Sequence, residues 1–232
     1  MSDEERGEES NGGCCPILEN LKSMPNYDEC PVRTIGRCDR WRLGRPPTYD
    51  EVNAKYLLQK KMKHTPDSLE KAVENIVKSW EAEIQHKLIP EQIDSIDLER
   101  FSMATNNKTP WTIDDVITRG TYCCLLEGVS HPVVEMDFER SNEYFREKFK
   151  TGFAWEVVKV FSGPQKVVFS WRHWAHVGSD TLTEEMEGKG NLVELEGFTR
   201  ANVGPGGKMR DIEVFFDQDK FLTDMAEAEG AG

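Results

Sequence analysis

At 232 residues, with 38% hydrophobic and 31% charged residues, the chain has the length and composition of one well-cored soluble domain. Its 29 basic residues against 42 acidic ones leave a formal charge of -13, which repels phosphate backbones and anionic lipid and argues against nucleic acid as a partner. No apolar run approaches the roughly 18 residues that a membrane span needs, and the leading MSDEERGEES is acidic where a secretory signal is basic and then apolar, so a cytoplasmic location and no membrane partner are expected.

Residues 1–40 carry Asp3-Glu4-Glu5, Gly12-Gly13 and scattered prolines without sustained periodicity, which predicts a flexible acidic arm ahead of one domain over 41–232. The six cysteines, Cys14, Cys15, Cys30, Cys38, Cys123 and Cys124, show no C-x-x-C spacing. They read as reduced thiols, with a disulfide inside the arm left open. Thr48-Tyr49-Asp50-Glu51 fits a capping box and predicts a helix from about Tyr49 to Lys63. Asp67 and Glu70 open a second helix, in which Leu69, Val73, Ile76, Val77, Trp80, Ile84 and Leu88 recur at three- and four-residue intervals. A stripe that wide must be buried. Trp80 lies within it, whereas His86 falls on another face and is expected at the surface.

Phe101 to Ala104 reads as a short strand. Thr112 and Asp115 open a third helix running through Tyr122 to near Gly128, with Gly120 marking close packing. Tyr122 is either a packed aromatic or a phenol donor to a bound carbonyl. Val133 to Phe138 reads as a strand and Ser141 to Lys150 as a helix.

Phe153 to His176 holds two β-branched and aromatic runs around Ser162-Gly163-Pro164-Gln165, the pattern of an antiparallel hairpin. A turn centred on Gly163-Pro164 pairs Val160 with Val167, Val158 with Phe169, Glu156 with Trp171, and Ala154 with His173. These eight share a face, apolar near the turn and carrying a carboxylate, an indole and an imidazole at its far end. The other face, with Phe153, Trp155 and Trp174, would meet solvent or a second subunit. The acidic stretch Glu184 to Glu187 reads as a solvated loop. Asn191 to Val203 and Lys208 to Phe216 then read as two strands joined by GPGG, and Asp217 caps a last helix. In the final strand, Met209, Asp211, Glu213 and Phe215 form one face and Arg210, Ile212, Val214 and Phe216 the other. If the first lines a pocket, Asp211 or Glu213 could remove a proton alpha to a carbonyl; if Ile212 and Val214 point inward, the acids are solvated. His173 and His176, three apart on a strand, face opposite ways, and no set of ligands has metal spacing.

Helices early and strands late argue for α+β, helices on one face of a curved antiparallel sheet. The strings WRLGRPPTYDEVN (Trp41 to Asn53), SLEKAVENIVKSWEAEIQHK (Ser68 to Lys87), FAWEVVKVFSGP (Phe153 to Pro164), VVFSWRHWAHVG (Val167 to Gly178) and GKMRDIEVFFD (Gly207 to Asp217) resemble the plant pathogen-related protein family. That family is itself similar to the SnoaL-like polyketide cyclases of the nuclear transport factor 2-like superfamily. The resemblance implies a cone-shaped α+β barrel with a mostly apolar pocket at its open end and, in its SnoaL-like members, acid/base catalysis by a carboxylate or histidine in the cone. The chain departs from the family pattern between Gly178 and Gly190, where SDTLTEEMEGK is acidic.

These readings converge on a protein that binds a small, largely apolar organic molecule and carries out cofactor-independent acid/base chemistry on it, such as cyclisation or isomerisation. Glu156, His173 and Asp211 are the expected proton-handling residues, and Trp80, Tyr122, Phe169, Trp171, Glu213 and Phe215 the expected substrate-binding ones. Neither metal nor cofactor is expected. The alternative is a non-catalytic ligand-binding or interaction protein of defence or stress, forming a homodimer through the outer aromatic face.

Overall fold

The structure is a computed structural model describing residues 30, 33–36, 38, 40–163 and 165–230. Most of the expected arm, and Pro164 in the expected turn, therefore lie outside the described residues. Those of the arm that are described lie against the domain: Arg33 donates to Asn53 Oδ1, Thr34 N to Ser79 Oγ, and Gly36 N to Glu83 Oε1.

Helix α1 spans Asp50–Gln59, with no side-chain cap at Tyr49. It stops short of the expected Lys63 because the Glu156 carboxylate takes the backbone N–H groups of Lys61 and Met62, which draws the chain out of helical geometry. Helix α2, Leu69–His86, is capped by Ser68, whose Oγ accepts from Lys71 N, one residue later than expected. Glu70 closes no box and instead accepts from Val160 N. Strand β1 is Ser102–Thr105. Thr112 and Asp115 form the expected capping box for α3, Ile113–Arg119. Gly120, at φ 92°, breaks the helix there, and α4, Thr121–Leu125, starts in a new direction.

Residues Pro132–Glu135 form a short 3-10 turn where a strand was expected. Pro132 has no N–H to give a ladder, and the Val133 N–H is taken by the His131 side chain. Asp137 caps α5, Phe138–Lys148, three residues before the expected start. Strands β2, Ala154–Ser162, and β3, Lys166–Val177, follow. Helix α6, Leu182–Met186, replaces the expected acidic loop, with its own capping box between Thr181 and Glu184 and with Glu185 buried. Strands β4, Asn191–Val203, and β5, Met209–Phe216, and helix α7, Gln218–Gly230, complete the chain.

The five strands form one sheet in the order β1-β5-β4-β3-β2, antiparallel except for β1 beside β5. It curves around the helices into the cone-shaped α+β fold. Its inner face carries two apolar clusters, one against α2, α3 and α4 and the other against α5 and α7. Part of its outer face is roofed by α1, where Tyr56 and Leu57 cover Ala154 and Trp174. Among the described residues, no helix is long and apolar enough to cross a membrane.

The β2–β3 register differs from the one expected, and the difference re-sorts the site. Ala154 pairs with Trp174, Trp155 with His173, Glu156 with Arg172 and Val157 with Trp171, with register shifts between Val157 and Lys159 and between Val160 and Ser162. Ser162 already pairs with Val168, so the connection is wider than a two-residue turn on Gly163-Pro164 and displaces the pairing by three residues there; the two irregularities reduce that offset to one beside Glu156. A slip of one residue exchanges the faces of a strand. Trp155 and Val157 thus turn inward beside Trp171 and His173, and Glu156 turns outward beside Arg172. The aromatic face expected to meet a second subunit does not form: Trp155 and Trp174 lie on opposite faces, and both are buried.

In β5, Met209 pairs with Val203 and Asp211 with Asn202, so a shift falls between them. Met209, Ile212 and Val214 are buried inside, and Asp211, Glu213 and Phe215 face outward. Asp211 accepts from Asn202 Nδ2 at 2.6 Å, Glu213 pairs with Arg200 at 2.7 Å, and Phe215 lies beside Phe198.

Candidate functional site in the cone

Inside the cone lies a cavity of about 120 Å³. Helix α2 supplies Val77, Trp80, Glu81 and Gln85, successively three, one and four residues apart, along one side of the helix. Helix α4 adds Thr121, Tyr122 and Leu125. The inner face of the sheet contributes Trp155, Phe169, Trp171, His173, Thr199, Ile212 and Val214 among others. Glu81, Gln85 and Tyr122 also border an outer groove of about 490 Å³. That groove, with Arg42, His86, Glu139, Asn142 and Arg146 as well as Phe138, Phe145, Phe149 and Phe153 on its walls, is a mixed vestibule beside the apolar chamber. His86 is half-buried there, edge-on to Tyr49 at 6.0 Å, rather than free at the surface.

Tryptophan walls are held in place from behind. Trp171 donates from Nε1 to Thr199 Oγ1 at 2.9 Å, and its six-membered ring lies over Gly197. A Cβ on Gly197 would stand 2.4 Å from Trp171 Cζ2 and 2.5 Å from the Phe215 carbonyl. Gly197→Ala is accordingly expected to cost about 1–3 kcal/mol through overpacking and to shift the indole into the cavity. A lowered Tm together with a changed tryptophan emission would report this, and an unaltered pair would show that the wall is not so placed.

Three buried polar atoms on the lining have no partner: Trp80 Nε1, Gln85 Oε1 and His173 Nε2. Gln85 spends its amide on Thr121 Oγ1, which leaves its carbonyl toward the chamber. The His173 ring stacks on Phe153 at 3.6 Å and 17°. Burial, reinforced by the Lys78 charge, pulls its pKa down to about 3, so the imidazole is neutral at neutral pH. With the ring proton on Nδ1, the tautomer that the neighbouring Phe153 backbone favours, Nε2 presents a bare lone pair. Burial would raise Glu81, but the Lys78 ammonium at 2.7 Å outweighs it and holds the carboxyl below its usual range. Lys78 is lowered by burial and lies 5.2 Å from the centroid of the Trp155 ring. Burial raises the phenol of Tyr122, which stacks on Phe145 at 4.2 Å.

Of the residues singled out from the sequence, Trp80, Tyr122, Phe169, Trp171 and His173 come together around the cavity. Glu156, Asp211, Glu213 and Phe215 do not: the hairpin slip carries Glu156 to the outer face, and the phase of β5 does the same for the other three. Lys78, Glu81 and Gln85 were missed. Their signal lay in the spacing, since Glu81 and Gln85 follow Val77 at successive four-residue steps and so share a side of α2. Among the described residues, no three His, Cys, Asp or Glu side chains gather as a metal shell, and Cys30, Cys38, Cys123 and Cys124 are free thiols.

No family model matches the chain. A protein named as a SnoaL-like polyketide cyclase from Jannaschia sp. CCS1 aligns over 71% of this chain and 97% of its own, at 13% identity and a TM-score of 0.41. An NTF2-like protein from Burkholderia thailandensis aligns over 70% and 98%, at 13% identity and a TM-score of 0.38. The fold described above rests on the strand order and packing of this chain, not on likenesses of that size. The pathogen-related protein of Hordeum vulgare is 30% identical over 199 residues, 82% of this chain and 84% of that one. With identity of that extent running through most of both proteins, this chain belongs to the pathogen-related protein family.

Proposed function

We propose that the protein binds a small, largely apolar organic molecule in the cone. The supporting observation is the combination of an aromatic and aliphatic chamber with three unpartnered polar atoms on its wall. Each buried donor or acceptor left unmade costs about 1–3 kcal/mol, a cost that a ligand with matching groups removes. The Hordeum relative is named for its relation to pathogens, which suits a role in defence.

A second reading is proton transfer without a cofactor, favoured by His173 and Glu81 lining one chamber. The proton-handling group is then His173 with Glu81, rather than His173 with Glu156 and Asp211. In the empty cavity both groups are weak bases at neutral pH, because both pKa values are lowered. Binding is therefore the better-supported half of the proposal.

Native mass spectrometry of the protein mixed with an organic extract of its source tests it. The wild type is expected to retain a compound that Val77→Phe, which places a ring in the chamber, loses while still folded. If the wild type holds nothing, or if the variant holds the compound equally, the cone is not the binding site.

A further inference from the structure

We infer that the group entering the chamber is a single phenolic ring, its hydroxyl donating to His173 Nε2 and accepting from Trp80 Nε1. This rests on the reading that the cone binds a small organic molecule, and it specifies which chemistry the cone selects.

Size comes first. An apolar cavity of about 150 Å³ takes up benzene, so a chamber of about 120 Å³ has room for at most one six-membered ring and not for a fused polycycle. Anything larger must leave its remainder in the 490 Å³ vestibule. Flat, aromatic walls from Trp80, Trp155, Phe169 and Trp171 favour an aromatic ring over an aliphatic one, through edge-to-face and offset contacts.

Polarity decides the substituent. A carboxylate would meet the Glu81 carboxylate and the lone pairs of Gln85 Oε1 and His173 Nε2 without a free cation to pair with, since Lys78 is already committed to Glu81. An ammonium would enter beside that same Lys78 charge, which already disfavours a proton on His173. A neutral hydroxyl suits both orphans, because it carries one donor and two acceptor lone pairs. A phenol is the neutral hydroxyl that also brings the ring.

Isothermal titration with phenol, toluene and 9-phenanthrol tests this. Phenol loses more hydration than toluene on burial, so a chamber without partners prefers toluene. Wild type is expected to bind phenol at least as tightly as toluene. His173→Phe, which preserves the stack on Phe153, should move the ratio about tenfold toward toluene. Trp80→Phe, which removes only the N–H and part of the ring, should move it in the same direction. 9-Phenanthrol, with its hydroxyl on the middle of three rings, should bind more weakly than phenol. Toluene preferred in wild type, a ratio unmoved in both variants, or 9-phenanthrol binding as tightly as phenol would each overturn the inference while leaving the cone a binding site. Failure of all three probes would count against the binding reading itself.

Discussion

Glu156→Ala is expected to cost the protein about 3–5 kcal/mol and to leave ligand retention in the cone unchanged. Glu156 is fully buried on the outer face of the sheet. Its carboxylate accepts from Arg172 at 3.0 Å, from Lys61 N at 3.1 Å and from Met62 N at 2.9 Å. Truncation leaves two partly buried backbone N–H groups without their acceptor and takes one carboxylate from a guanidinium that is itself buried. Arg172 keeps Glu194 and the Gln59 carbonyl, which limits the loss. Because a domain of this kind has only about 5–15 kcal/mol in total, Glu156→Gln is the graded companion: one carbonyl oxygen still accepts, and the expected cost is smaller. Urea unfolding of both variants gives the stabilities, and phenol titration gives the cone. Loss of binding by a Glu156→Gln protein of near wild-type stability would put the residue back in the site and refute the register.

What could be read from the sequence was what depends on local periodicity. The apolar stripe of α2, the capping box of α3 and the strand content of 153–216 follow from neighbours a few residues apart, and Trp80, Tyr122, Phe169, Trp171 and His173 were legible as pocket residues for that reason. Register is a different kind of information. A connection wider than a two-residue turn, only partly offset by two irregular steps in β2, moved Glu156 to the other side of the sheet, and no local pattern marked either. The phase of β5 was ambiguous because both of its faces are rich in apolar residues, and only packing against α2 and β1 settles that Ile212 and Val214 turn inward. Glu81 went unnoticed because an acid beside a buried tryptophan looks like the edge of a solvated face. The burial of Glu185 was hidden in the same way, since a run of acids suggests water until a lysine from another element is brought to it.

That lysine sets up the other large effect: Glu185→Ala is expected to destabilise by about 3–5 kcal/mol at neutral pH, with the deficit shrinking in acid. Glu185 lies on α6, against the outer face of the sheet. It pairs with the fully buried Lys55 of α1 at 3.0 Å and with His176 of β3 at 3.3 Å, and it accepts from Thr151 and from Gln59 of α1. Without it, the Lys55 ammonium keeps only Thr151 Oγ1 at 2.6 Å and the Gly152 carbonyl at 2.7 Å, neither of which offsets its charge. Burial alone would raise the Glu185 carboxyl, but the close His176 ring, the hydrogen bond from Thr151 and the Lys55 charge reverse this and hold it at about 2. A depressed carboxyl stabilises the fold above its ordinary pKa of 4.5 and loses that contribution as pH falls through its folded value of about 2. A shift of that size is worth roughly 3 kcal/mol. His173 adds its own acid sensitivity, from its ordinary 6.5 down to about 3, but it does so in wild type and variant alike and cancels in their difference. The difference between the two urea-derived stabilities should therefore be flat above about pH 5 and close toward pH 2. A Lys55→Met, Glu185→Leu double variant removes both charges and should recover much of the loss, since the penalty lies in the stranded ammonium. A Glu185→Ala protein within about 0.5 kcal/mol of wild type would mean that the cluster is wet. The acidic stretch would then be free to move, whereas the geometry here makes it the outer staple that fixes α1 over the sheet.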